Sequence, residues 1–486
     1  MFGLSPLQEE AVGLTFVLNQ LNPDSPYGVE KKKQIAPLGA HHSKEISTCF
    51  DNLEKIISLM RENIAIVEEL RLHLMSLKHI RGSIVKCDTQ TLSQIEMFEV
   101  KNFLLTFEKL ERAFKKITDR VTFTDIHLQP MTEALSILDP NGLRIAAFTL
   151  DSPELQTIRQ EKLRVEALLQ KESDQTLKEN LTVERFTLVQ KEEVEESRVL
   201  GELSEKLRVY LSVFISNMDH IGTLDLTIAK ALLALKYNAV RPEISNSGAL
   251  SFQKMSNPYV TDLLAKNNQT MTKISLTMTK GLTIITGANM GGKSVSIKTA
   301  VLNTMLCQIG FFVFAEKAEI PLFDGIYFIS EERQDVERGL SSFGAEILRF
   351  NEIAGHLKTG FLFVALDEFA RGTNPHEGAS IVRAVASYLS DSGSVSVMVT
   401  HYDRIVSPEF RHYQVAGLNF PDKNPDKKLE MKSNPSFIAA YMDYNLIEME
   451  FRADPPRDAL NICKLIGLDE EVLNRIEKEY MASTQT

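Results

Sequence analysis

The segment 281–310 constrains the fold more than any other part of the chain. It reads GLTIIT, then GANMGGKS, then VSIKTAVLNTMLCQIG. The first run is apolar and of strand type, the second is a full G-x-x-x-x-G-K-[ST] match, and the third is a helical stretch with an apolar stripe. Such a loop forms where a buried strand delivers the chain straight into a helix N-terminus, which commits the neighbouring residues to a largely parallel sheet covered by helices. Gly287, Gly291 and Gly292 let backbone amides turn inward around phosphate oxygens, and the helix start adds partial positive charge. On this chemistry Lys293 reaches the β- and γ-phosphates and Ser294 holds Mg²⁺. Ala288, Asn289, Met290 and Val295 complete the nucleotide-binding stretch.

Two more strand-type runs follow, FLFVAL at 361–366 and VSVMVT at 395–400. The first ends in Asp367 and Glu368. Behind a phosphate loop, a strand-end Asp reaches Mg²⁺ and a following Glu polarises the attacking water. The second ends at His401, placed to sense the γ-phosphate or to orient water. Between the phosphate loop and the first of these runs, a Gly-x-Ser-Ser turn at 339–342 opens a helical stretch. Its amides and hydroxyls, Ser341 among them, suit a phosphate arriving from another subunit.

The preceding half of the chain is of a different kind. From about 43 to 238 glycine is sparse and apolar residues recur at threes and fours, as in Leu53, Ile56, Ile57 and Met60, and again in Leu104, Phe107, Leu110 and Phe114. Long packed helices are expected. Within it, 152–208 is rich in charge and poor in apolar residues, which predicts an exposed helical arm bearing a small lobe. The breakers of RPEISNSG then set a boundary. The expected domains are an N-terminal segment at 1–42, a helical domain at 43–245 and an α/β domain at 246–486.

The chain has 54 basic and 65 acidic residues, a net charge of −11, which excludes a chain-wide electrostatic grip on nucleic acid or an anionic membrane. Cys49, Cys87, Cys307 and Cys463 form no CxxC pair, against a zinc knuckle or a disulfide framework. With no leader pattern and no spanning apolar run, a cytoplasmic location without membrane contact is expected.

In order, TGANMGGKS, FAEKAEIP, the turn at 339–343, LDEFARGTNPHEG and THYD resemble the ATPase domain of the MutS family. NPYV upstream and RDALNICKLIGLDEEVLNRIEKEY downstream extend the likeness. GTNPHEG and LDPNGLRIAAFTLDSPELQTIRQEK look closer to the branch that does not read mismatches. The resemblance implies an α-helical core and lever domain with a short clamp arm, followed by an α/β P-loop ATPase domain of the MutS/ABC-like type. It implies ATP and Mg²⁺ as ligands and a homodimer with composite ATP sites. Residues 287–294 would form the phosphate loop, Asp367 and Glu368 the Mg²⁺-binding and water-activating acids, His401 the strand-end histidine, and Ser341 the serine offered in trans. On this likeness no counterpart is expected for two modules of the family, the N-terminal mismatch reader and the C-terminal nuclease-like module. The segment before Gly281 offers no aromatic to stack on adenine.

Two functions follow as expectations. The first is a dimeric clamp ATPase coupled to double-stranded or branched DNA, in mismatch repair or recombination-related handling. Its arm would use Lys162, Arg164, Lys171, Lys178 and Arg185, with steep salt dependence. The alternative is an ATPase that remodels or reactivates a protein client, such as an adenosylcobalamin-dependent aminomutase, without binding DNA.

Overall fold

The leucine- and isoleucine-striped half of the chain folds into helices, and the half that carries the phosphate loop folds around sheets. The structure, a computed structural model, describes residues 3–287, 291–330, 342–402, 405–418, 442–450, 463 and 468–483. In chain order the helices begin with α1 Pro6–Val12, α2 Leu14–Gln20, α3 Pro26–Lys33, α4 Ser43–Met75 and α5 Arg81–Cys87. They continue with α6 Gln94–Thr118, α7 Thr132–Leu138, α8 Pro153–Lys171, α9 Gln175–Arg208 and α10 Leu211–Tyr237. The rest are α11 Pro258–Ala265, α12 Lys293–Gln308, α13 Ser342–Leu357, α14 Pro375–Ser390 and α15 Glu470–Ser483. The strands are β1 Glu243–Ile244, β2 Leu250–Met255, β3 Ile274–Met278, β4 Gly281–Thr286, β5 Lys317–Ile320, β6 Gly325–Ile329, β7 Leu362–Asp367, β8 Val395–Val399, β9 Arg411–Leu418 and β10 Met442–Glu448. The chain divides into two compact units: Leu21–Ile35 with Asp51–Leu232, and Met1–Gln20 with Ala36–Phe50 and Leu233–Thr486.

In the helical unit the apolar stripes face inward. Leu53, Ile56 and Met60 of α4 are buried, as are Phe103, Leu104, Phe107, Leu110 and Phe114 of α6. A capping box starts α6: the Ser93 hydroxyl accepts from the Glu96 amide and the Glu96 side chain accepts from the Ser93 amide. Phe103 centres a ring cluster with Phe107, Tyr27 and Phe214, at centroid distances of 6.0, 6.0 and 6.1 Å. Helix α4 is kinked at Asn63, whose backbone is non-helical.

A buried ion pair fixes the loop after α7. Lys101 Nζ lies 3.2 Å from Asp139 Oδ1, with side-chain exposures of 6% and 3%, and also donates to Ala147 O at 2.9 Å. Asp139 Oδ2 accepts the Arg144 amide at 2.9 Å. Burial alone would raise the Asp139 carboxyl, but the Arg144 amide and the Lys101 ammonium hold it below its ordinary value. Lys101→Met would leave that carboxylate buried without its cation, so the helical unit should lose about 3–5 kcal/mol. A urea titration followed by far-UV circular dichroism reads this as a lower midpoint, and Lys101→Met with Asp139→Leu should recover most of it. An unchanged midpoint for the single variant would show that the pair does not hold this loop.

Residues 152–208 form a plain two-helix hairpin. Helices α8 and α9 are joined through 172–174, so the expected lobe does not exist. Its base is apolar, with Leu155 and Val199 packed beside Leu150. Further out, charge pairs join the helices: Arg159 to Glu192 at 2.9 Å and Glu196 at 2.8 Å, Lys162 to Glu192, and Arg185 to Glu166 at 2.8 Å. Val183, Phe186 and Val194 stand exposed on α9.

The other unit contains a six-stranded sheet in the order β10-β9-β4-β8-β7-β6. Strand β4 runs parallel to both β8 and β9, and β7 runs parallel to β8 and β6; only β10 is antiparallel, against β9. Every residue of β6, β7 and β8 is buried, as two covered faces require. Ile353 and Leu357 of α13 and Val382, Ala386 and Leu389 of α14 fill one side of the core with Ile284, Val364 and Leu366. A second sheet, β1-β5-β2-β3, mixes parallel and antiparallel pairs. A helical region followed by a mixed α/β domain is the architecture expected from the sequence. Among the described residues, no helix is long and apolar enough to cross a membrane.

Candidate nucleotide site

The loop after β4 leaves the sheet at Gly287 and enters α12 at Lys293. Two glycines make this path possible. Gly287 has φ +132° and a side chain there would press on Val415 of β9, with a Cβ 3.0 Å from the valine Cβ. Gly292 is the N-cap of α12 in the left-handed region, φ +79°, and a Cβ on it would lie 2.9 Å from the Tyr444 ring. No side chain caps α12, so its first-turn amides remain available to an anion. The aromatic beside the loop therefore comes from β10, downstream, and not from the segment before Gly281.

Four of the chemistry-bearing side chains expected from the sequence converge. Lys293, Ser294, Asp367 and Glu368 all line one cavity of about 650 Å³. Lys293 is 4% exposed and its Nζ donates to Gly287 O at 2.8 Å. Burial pushes its ammonium down, while the charges of Glu368 and Asp367 oppose that shift. Ser294 Oγ donates to Asp367 Oδ1 at 2.9 Å. Asp367 is the last residue of β7 and 8% exposed; burial raises its carboxyl above the ordinary range against the Ser294 hydrogen bond and the Lys298 charge. Gly291, Gly292 and Val295 also line the cavity.

Glu368 sits on a strained turn. It has φ +52° and Ala370 has φ +61°, conformations that persist only where the surroundings enforce them. Three bonds do so: the Glu368 amide donates to Val399 O at 3.0 Å, the Ala370 amide to Glu346 Oε2 at 2.8 Å, and Tyr402 OH to Ala370 O at 2.8 Å. Arg371 Nη1 holds Glu368 Oε2 at 2.5 Å. His401 follows β8, is exposed, stacks on Tyr402 at 4.4 Å, and is not among the cavity's lining residues. Ala288, Asn289, Met290 and Ser341 lie outside the described residues.

Sequence reasoning passed over several lining residues. Lys298 stands one turn beyond Ser294 on α12, a spacing readable as a one-face pair, and Arg371 lies three residues after Glu368 in the turn that follows β7. Leu7, Gln8 and Ala11 of α1 also line the cavity, and no local signal announces them.

The donor set fits a magnesium nucleotide. A hydroxyl paired with a carboxylate supplies the hard oxygen ligands Mg²⁺ accepts, with phosphate and water completing its shell. Among the described residues, no group of three or more His, Cys, Asp or Glu could hold a metal by itself.

Residues 283–454 match the family model described as MutS domain V. The chain is 29% identical over 425 residues to an endonuclease MutS2 of Caldicellulosiruptor saccharolyticus, covering 81% of this chain and 50% of that one. It is 33% identical over 304 residues to an endonuclease MutS2 of Carboxydothermus hydrogenoformans, covering 60% and 38%. It is 28% identical over 296 residues to the DNA mismatch repair protein MutS of Fusobacterium nucleatum, covering 60% and 31%. These matches support a member of the MutS family. The chain spans half, or less, of the length of these relatives.

Proposed function

We propose, with a MutS-type nucleotide fold as the premise, that this chain binds ATP with Mg²⁺ and hydrolyses it, that two copies complete each other's sites, and that turnover is coupled to DNA. The observation that carries the reading is the convergence of Lys293, Ser294, Asp367 and Glu368 on one cavity at an uncapped helix start. Lys293, now bonded to Gly287 O, is the cation that the β- and γ-phosphates would draw to themselves. The first-turn amides of α12 would take phosphate oxygens. Ser294 and Asp367 would hold Mg²⁺, which neutralises charge on the phosphates. The Glu368 carboxylate accepts a proton from water as the water oxygen bonds to the γ-phosphorus. The bond from that phosphorus to the bridging oxygen breaks, and ADP and phosphate leave. The contact from Arg371 to Glu368 must be shared with, or given up to, that water. Ser341 of a second copy would complete the phosphate shell, and His401 would act from the strand end.

The test is ATP hydrolysis by the purified chain, alone and with branched or plain duplex DNA, at low and high salt. Stimulation by DNA that salt removes is the expected result. Turnover indifferent to every DNA would remove the DNA half of the proposal, and no Mg²⁺-dependent turnover would remove the whole.

One observation favours a second reading, a protein client in place of DNA. Lys162 and Arg185, two of the five cations expected to grip DNA, are tied to Glu192 and Glu166 within the arm, while Val183, Phe186 and Val194 are exposed on it. An arm built this way offers a phosphate backbone fewer free charges than its composition suggests. The same DNA titration separates the two.

A further inference from the structure

We propose that the amino-terminal helix α1 is a wall of the nucleotide site, with Leu7 and Ala11 facing the phosphates and Gln8 as the positioning residue that ties this wall to β6 and α13. The inference rests on the nucleotide reading above and extends it to a segment far outside residues 283–454. Leu7, Gln8 and Ala11 line the same cavity as Lys293 and Asp367. Their spacing, i, i+1 and i+4, sets them on one side of a helix. That side has a buried foot and a free rim. Gln8 is 1% exposed, whereas Leu7 is 67% exposed and Ala11 is exposed as well.

The foot is polar. Gln8 Nε2 donates to Phe328 O at 2.7 Å, and its Oε1 accepts from the Ser5 amide at 3.0 Å and from Arg349 Nη2. Arg349 Nη2 donates also to Gly3 O at 2.9 Å, and the Gly3 amide donates to Ile326 O at 3.1 Å. Residues 3–8 thus lie along β6, the last strand of the six-stranded sheet. A side chain at Gly3 would collide with the Tyr327 ring, its Cβ 2.3 Å from a ring carbon. Strand β6 leads on to Ser330, which also lines the cavity, and Arg349 belongs to α13. One carboxamide therefore joins a cavity wall, the strand that runs into the cavity, and a helix of the opposite cover. A buried amide this fully used fixes position in a way an apolar contact does not.

The rim carries no charge of its own, beside a cavity whose ligand is anionic. A charge introduced at Ala11 acts on the phosphates with its own sign, and because Ala11 is exposed the fold is not disturbed. Ala11→Glu should weaken binding of N-methylanthraniloyl-ADP by roughly 3- to 10-fold, and Ala11→Lys should tighten it by a similar factor. A wall that only braces the domain has no reason to respond to sign. For the foot, Gln8→Met keeps the volume and cuts all three bonds, and Gln8→Glu keeps the Arg349 contact while losing the donation to Phe328 O. Gln8→Met should raise KM for Mg-ATP by roughly 5- to 30-fold with kcat much less affected, and Gln8→Glu should fall between it and the wild type.

The experiment is a fluorescence titration of the full chain with N-methylanthraniloyl-ADP, with steady-state ATP hydrolysis and a thermal melt on each variant. Opposite effects of Ala11→Glu and Ala11→Lys at an unchanged Tm establish the wall. Equal effects, or none, overturn it. A Gln8→Met variant that melts lower but keeps the wild-type KM and nucleotide affinity makes Gln8 a brace and overturns its positioning role. Failure of the wild-type chain itself to bind the probe overturns the nucleotide reading; binding that ignores the charge at position 11 overturns this inference alone.

Discussion

Glu368→Gln is expected to slow ATP turnover by about 10²- to 10⁴-fold, the range lost with a positioned general base, while nucleotide still binds. The substitution keeps size and backbone. The turn is held by the Val399, Glu346 and Tyr402 bonds, none of which uses the Glu368 side chain, so the left-handed conformation at 368 survives the change. What disappears is the charge that, on the proposed mechanism, accepts a proton from water, and that pairs with Arg371 at 2.5 Å. Phosphate release measured beside N-methylanthraniloyl-ADP binding separates the two properties. An unchanged rate would mean that another group activates the water, and the placement of Asp367 and Glu368 at the end of β7 would need a different explanation.

Lys293→Met should instead abolish tight nucleotide binding. The ammonium is buried, bonded to Gly287 O, and flanked by two acids whose charges favour its protonated form. Removing it leaves Asp367 and Glu368 facing incoming phosphates without their nearest buried cation. Truncating one member of such a charge-paired set costs about 2–5 kcal/mol, or roughly 30- to several-thousand-fold in affinity. Isothermal titration with Mg-ADP would read this directly. Affinity within a factor of two of wild type would show that the backbone amides of α12 carry phosphate binding without the lysine.

Much of the arrangement around these residues was legible because it is local. Strand β4, the glycine loop and the start of α12 follow one another without interruption, and the end of β7 announces Asp367 by an apolar run that stops at an acid. The helical half was legible for the same reason, since Leu53 to Met60 and Leu104 to Phe114 repeat with the period of a helix. The second sheet was not. Strand β5 reads KAEI, an alternation only four residues long, and β2 carries a register shift between Phe252 and Met255; neither announces itself as the apolar runs of the main sheet do. The arm was legible as helix but not in its outer end, where charge density suggested a lobe and α8 and α9 form a plain hairpin. The reversed φ at Glu368 and Ala370 has no signature in DEFARG, because those residues adopt it only under the surrounding bonds. The contribution of α1 was the least legible, since it depends on a hydrogen bond across 320 residues of sequence.

That last separation has a consequence for how the protein comes into being. At synthesis rates of roughly 5–20 residues per second, Gln8 leaves the ribosome about 16–64 s before Phe328. During that interval a seven-residue helix lacks its partners on β6 and α13, and a helix that short is unstable alone in water. Residues 3–8 therefore reach their places late, and the nascent chain cannot assemble a complete nucleotide cavity until long after its helical unit has been translated.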